Sequence, residues 1–260
     1  MTPAWAVTVS DRTRTSDDMA ARFEFPGGDK RTAIIGTTGS GKSTCGLWML
    51  GHQRLDARPW VIIDFKREPF FDRVGFPPIH QATLWDAPPT KPGLYLVNPR
   101  PGDDAALDAF LWRCWERENI GLFIDEAPLM PPEHSYKAFV ACIQQGRTKH
   151  MPIIACMQRP VGIPRALVSQ SDYVALFTLE DSRDFKVIQG FVPPEMAAPV
   201  AMHHWRYWQR PTRTLLNMRP VPPPRDVVAL LQANAPYKPN AWHPFGWSGR
   251  KSTRAASRLN

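Results

Sequence analysis

The chain has 260 residues, 43% of them hydrophobic, enough to bury a sizeable core as one α/β domain with length left for arms or tails. It shows no run of about 18 apolar residues and no basic-then-apolar leader, and Cys45, Cys114, Cys142 and Cys156 sit singly with no CxxC pair; a membrane span, a signal peptide, a zinc site and a disulfide framework are therefore not expected. The formal charge of +8 is localised, because residues 196–260 hold ten Arg or Lys against Asp226 alone and the first 195 residues sum to −1.

Residues 1–30 mix short apolar and polar pieces and end at the turn signal Pro26-Gly27-Gly28, which reads as an N-terminal arm or an edge strand. Strands are then expected at Thr32–Ile35, Trp60–Phe65, Leu94–Val97, Gly121–Ile124, Pro152–Met157 and Tyr173–Leu179. Helix-period segments alternate with them. Leu107, Phe110, Leu111 and Cys114 fall at i, i+3, i+4 and i+7 and predict a helix over Asp103–Glu118; Phe139, Cys142, Ile143 and Gly146 predict one from Ser135 to Lys149. The alternation predicts a mostly parallel sheet with helices on both faces, with the core domain over 31–220. Pro222-Pro223-Pro224 then breaks the chain ahead of a short helix at Asp226–Ala233, within a Pro-rich, basic extension over 221–260 whose end is expected to be extended or disordered.

The chemistry starts at Gly36-Thr37-Thr38-Gly39-Ser40-Gly41-Lys42-Ser43, followed by Thr44, which matches GxxxxGK[ST] between a strand and a helix-compatible run. Glycines let backbone N–H groups converge on phosphate oxygens at a helix N-terminus, Lys42 reaches the β- and γ-phosphates, and Ser43 offers a hydroxyl to Mg²⁺. ATP with Mg²⁺ is the expected ligand of this Walker A loop. A strand-end acid must serve the metal's water shell, and Gly121-Leu122-Phe123-Ile124-Asp125-Glu126 supplies a Walker B strand: Asp125 on the metal side and Glu126 as the base that polarises the attacking water. Asp64 after Val61-Ile62-Ile63 is a second strand-end acid, which with Lys66 reads equally as a site group or a surface ion pair. Gln158, at the carboxyl end of the strand over 152–157, is the candidate water or phosphate sensor.

In this order the motifs resemble the FtsK/HerA superfamily of P-loop ATPases over roughly residues 31–191. Asp64-Phe65-Lys66 is similar to that family's Asp-Pro-Lys, Asp125-Glu126-Ala127-Pro128-Leu129-Met130 to its Asp-Glu segment, and Gln144-Gln145-Gly146-Arg147-Thr148-Lys149, a strand and Gln158-Arg159-Pro160 to its Arg-containing helix end, strand and Thr-Gln-Arg-Pro. Met157 stands where Thr is usual and Phe65 where Pro is usual. The resemblance implies a RecA-like core working as a homo-oligomeric, hexameric ring, with Arg147 as an arginine finger inserted into the next subunit's site. Because the chain has no room for the winged-helix, β-barrel or membrane additions of other branches, it is most similar to the genome-packaging ATPases of membrane-containing viruses. That implies a translocase for double-stranded DNA that acts in the host-cell cytoplasm or at a packaging vertex, docked on a capsid or viral membrane protein. The alternatives are a HerA-like plasmid or chromosomal DNA-processing translocase and an ATP-driven phage assembly or export factor that pumps no duplex. His203-His204-Trp205-Arg206-Tyr207-Trp208-Gln209-Arg210 interleaves aromatic and basic groups, so that Arg206, Arg210 and Arg213 are candidate DNA contacts, while a strand of the same composition would complete the sheet edge. No nearby Cys or acid completes a metal site with His203 and His204.

Overall fold

A computed structural model of the chain describes residues 23–75 and 78–236. The expectations for the start of the N-terminal arm and for the basic tail beyond Pro236 lie outside the described residues. Nine strands form one sheet in the order β3-β4-β2-β5-β6-β1-β7-β8-β9. In chain order they are β1 (Arg31–Ile35), β2 (Pro59–Ile63), β3 (Ile79–Gln81), β4 (Gly93–Val97), β5 (Gly121–Ile124), β6 (Ile153–Met157), β7 (Tyr173–Leu176), β8 (Trp205–Gln209) and β9 (Thr214–Met218). All pairings from β3 through β7 are parallel, and the β7–β8–β9 edge is antiparallel. The α/β class, with a mostly parallel sheet, is as the alternation predicts.

The strands β1, β2, β5, β6 and β7 are buried along their whole length. Successive residues face different cores: Ala33, Ile35, Val61, Ile63, Leu122 and Ile124 join one apolar cluster, and Ile34, Trp60, Ile62 and Phe123 join the other. Each face is covered, so near-continuous Val, Ile and Leu runs are stable here where an alternating pattern would leave a polar face in the dark. Helix α1 (Lys42–Gly51), α2 (Pro69–Val74) and α7 (Pro224–Asn234) belong to the second cluster, and α3 (Asp104–Arg117), α4 (Ala138–Gln145), α5 (Arg165–Ser169) and α6 (Ser182–Ile188) to the first.

Several elements differ from the sequence expectation for physical reasons. The helix expected over Ser135–Lys149 contracts to α4, because Ser135 N and Tyr136 N turn back to Pro132 O and the chain after Gly146 closes in turns, with Met151 N on Gly146 O at 2.7 Å. Its first turn is capped from outside: Asp108 Oδ1 of α3 accepts Ala138 N at 2.9 Å. Strand β3 and the β8–β9 hairpin were not among the six predicted strands; the aromatic-basic run forms β8, paired between β7 and the edge strand β9, and buries Trp205, Tyr207 and Gln209. The described end of the arm is not a strand. Phe23 packs on Trp48, Trp205 and Tyr207, Phe25 stacks on His52, and Tyr207 OH donates to Glu24 O, so the arm closes over α1 and β8. The short helix expected at Asp226–Ala233 is α7, which packs beside α1 with Leu230 and Leu231 against Gly51.

Candidate active site

The carboxyl ends of β1, β2, β5 and β6 form one rim, and the parallel order brings to it segments distant in sequence. The Walker A loop leaves β1 and enters α1. Gly36 N donates to Met157 O of β6 at 3.1 Å and Thr37 N to Thr178 O at 3.3 Å, which pins the start of the loop between β6 and β7. Gly39 and Gly41 take φ of 77° and 100°, the left-handed region that favours glycine. A Cβ on Gly36 would lie 2.6 Å from Phe177 Cβ and 2.7 Å from Ser40 Oγ, so the chain can pass there only without a side chain. No side chain caps the first turn of α1, whose free N–H groups and positive dipole end are left to an anion. Lys42 is buried at that turn.

Walker B follows β5. Asp125 is 1% exposed, and its carboxylate oxygens have no well-formed hydrogen bond among the described residues, the Ser43 hydroxyl lying close enough only to favour the ionised form. Burial pushes its acid up, opposed by the nearby Ser43 hydroxyl and the Lys66 and Lys42 charges. A buried carboxylate with two orphaned oxygens beside a hydroxyl is a costly arrangement without a cation, and its oxygen donors suit Mg²⁺. A cavity of about 340 Å³ opens beside Ser43, Thr44 and Asp125, walled by Glu68, Phe70, Arg73 and Pro224.

Glu126, 5% exposed, is the hub of a hydrogen-bonded chain. Its Oε2 accepts Gln158 Nε2 at 3.1 Å and Lys66 Nζ at 2.5 Å, and its Oε1 lies 3.4 Å from Gln158 N. Gln158 Oε1 in turn accepts the Thr38 hydroxyl at 3.0 Å, so the Walker A loop, Gln158 and Glu126 are directly linked. Asp64 does not pair with the Lys66 ammonium. It is 1% exposed and accepts Lys66 N at 3.1 Å, Glu68 N at 2.9 Å and Asn98 Nδ2 at 3.3 Å, shaping the loop after β2. Burial and then the neighbouring Asp125 charge raise its acid, against the backbone N–H groups that lower it.

The remaining candidates lie elsewhere. Arg147 follows α4 at the amino ends of the strands, about 13 Å of β6 away from Gln158. Its Nη2 pairs with Asp172 Oδ1 at 2.6 Å, its side chain is 56% exposed, and Asp172 also faces Lys30 and Arg31. Arg206 lies on β8, Arg213 is exposed in the β8–β9 turn, and Arg210 is turned inward, its guanidinium donating to the carbonyls of Ser169, Val168 and Phe191. Two contacts had no sequence signal. His203, at φ 61°, sets Nδ1 3.2 Å from Ser40 O of the Walker A loop, and Arg159 binds Asp184 and Asp181, tying the end of β6 to α6.

No family model matches the chain. It is, however, 33% identical over 220 residues to the DNA packaging ATPase P9 of Enterobacteria phage PRD1, an alignment covering 80% of this chain and 94% of that protein. The chain belongs to this family of DNA packaging ATPases. Solved structures share the fold at lower identity. The genome packaging NTPase B204 of Sulfolobus turreted icosahedral virus 2, in complex with AMPPCP, matches with a TM-score of 0.57 and 18% identity over 75% of this chain and 99% of that one. The EssC ATPases 2 and 3 of Geobacillus thermodenitrificans match with a TM-score of 0.55 and 15% identity, over 79% of this chain and 44% of theirs. As a member of this family the chain is an ATPase.

Proposed function

We propose that the protein is the motor that drives double-stranded DNA into a preformed viral capsid, working as a homo-oligomeric ring, hexameric by analogy with its superfamily. What carries this is the combination of near full-length similarity to a packaging ATPase with one rim that gathers the Walker A loop, Asp125, Glu126 and Gln158. Gly36 to Thr44 cradle the ATP phosphates through backbone N–H groups, and Lys42 meets the β- and γ-phosphates. Ser43 and, through water, Asp125 would hold Mg²⁺, which when bound neutralises charge on those phosphates. Glu126 takes the proton of the attacking water, and Gln158 links its carboxylate to the nucleotide loop through Thr38.

Arg147 sits at the wrong end of the sheet to serve its own Walker A loop, and it is exposed. A head-to-tail neighbour in a ring gives it a nucleotide to reach. For the duplex, sequence-independent phosphate contacts by basic side chains are the expected mode. Among the three C-terminal arginines the exposed Arg213 is the most available, and Arg210, engaged by backbone carbonyls, the least. The place of action is the host-cell cytoplasm or a packaging vertex, where a capsid or viral membrane protein docks the ring.

The decisive experiment compares ATP turnover without DNA, with duplex DNA and with single strands. Duplex is expected to stimulate turnover, with a response that falls as salt rises. A rate indifferent to duplex would overturn the pumping role and favour an assembly factor built on the same nucleotide core.

A further inference from the structure

Among the described residues Lys66 is the one cation in hydrogen-bond contact with the proposed base, and nothing in the Walker motifs accounts for it. Two features distinguish its contact with Glu126 from an ordinary surface ion pair. The first is the fixed starting point: buried Asp64 accepts Lys66 N and Glu68 N, and Asn98 Nδ2 holds both the Asp64 carbonyl at 3.1 Å and its carboxylate at 3.3 Å. The second is the end point, a carboxylate whose side chain is only 7% exposed. Exposed pairs contribute little, but a desolvated carboxylate requires its counter-charge. Burial works against the Lys66 ammonium, yet the hydrogen bond and charge of Glu126, with Asp125 and Glu68 behind it, raise its pKa overall.

The partners of Glu126 are also divided unequally between its two oxygens. Among the described residues, Oε2 takes Lys66 Nζ and Gln158 Nε2, whereas Oε1 has only the long contact to Gln158 N. Lys66 and Gln158 thus grip one oxygen and leave the other less engaged. We propose that Lys66 is a positioning residue for ATP hydrolysis: seated on the Asp64 loop, it holds Oε2 of Glu126 so that Oε1 is presented to the attacking water. This rests on the reading of Glu126 as the base.

The test uses the full-length protein. Lys66→Met removes the grip, and a misdirected base is expected to cost about 10²-fold in kcat. The KM for ATP and the affinity for a fluorescent ATP analogue, which report the Walker A loop, should stay within about two-fold, since uniform binding is untouched. Lys66→Arg, which keeps a cation with comparable reach, should recover much of the rate. In a Glu126→Gln background, adding Lys66→Met should cost nothing more, because a residue that acts only through another shows no further loss once that one is gone. A wild-type kcat in Lys66→Met overturns the proposal, as does an equal fold-loss in both backgrounds. Loss of ATP binding alongside the rate would also overturn it, since that is the mark of a structural ion pair. A Glu126→Gln variant that turns over ATP at the wild-type rate is a separate failure, that of the base reading itself.

Discussion

At the scale of single residues, binding and chemistry fall on different side chains of one rim. Lys42 is buried at the first turn of α1, while Glu126 stands on the loop after β5 with Gln158 and Lys66 as its partners. Lys42→Ala should therefore weaken ATP binding, measured by titration of a fluorescent analogue. Glu126→Gln should leave that binding intact and slow hydrolysis by about 10²–10⁴-fold. Equal loss of binding in the two variants would contradict this division. The sequence exposed these residues because each lies in a local motif. Lys66 stayed ambiguous because its partner is 60 positions away, and its nearest acid, Asp64, turns out to be occupied by backbone N–H groups.

At the scale of elements, the phosphate loop is only as well placed as α1, and α1 lies unusually close to the sheet. A Cβ on Gly46 would meet Cys156 Sγ at 2.7 Å, Phe123 Cε2 at 3.0 Å and Ile34 Cδ1 at 3.3 Å, all from buried residues of three neighbouring strands. In an isolated helix Gly→Ala gains about 1 kcal/mol. Overpacking in a close-packed interior costs about 1–3 kcal/mol, and here the atoms met belong to 0% exposed side chains with no room to yield. The clash should win. Gly46→Ala is expected to lower the melting temperature and, by lifting α1 from β1 and β6, to weaken ATP binding as well; a thermal melt with and without nucleotide reads both. A variant more stable than wild type would show that α1 has slack against the sheet.

At the scale of the whole molecule, the two ends of the strands have different tasks. The carboxyl ends carry the nucleotide site, and the amino ends carry Arg147 beside Asp172. Asp172 is buried, but it keeps Arg31 N at 3.0 Å and the Arg31 and Lys30 side chains as partners when Arg147 is removed, so Arg147→Ala should still fold, at some cost in stability. As a pure population it should bind ATP but lose about 10³–10⁵ in rate if the arginine completes a neighbour's site. Co-assembly with Lys42→Ala subunits, which keep the arginine but lack a working cradle, should restore part of the activity at mixed interfaces. Near-normal turnover of the Arg147→Ala protein alone would remove the arginine finger and with it the main support for the ring.

The amino-acid sequence by itself determined the α/β class, the position of the phosphate loop and the strand-end acids. Each depends on short-range chemistry: glycine spacing sets backbone dihedrals, runs of Val, Ile and Leu mark strands covered on both faces, and a carboxylate one residue past such a run stands at the sheet's rim. The tertiary structure decided what those segments meet. Sheet order places β5 between β2 and β6, so Lys66, Glu126 and Gln158 converge although they are spread over more than ninety positions. It also turned the aromatic-basic run into a strand paired between β7 and β9, drew Arg210 onto three carbonyls and laid His203 on the Walker A loop. No local pattern encodes such contacts. They follow from strand pairing and from the need of every buried polar group for a partner, which only the assembled chain supplies.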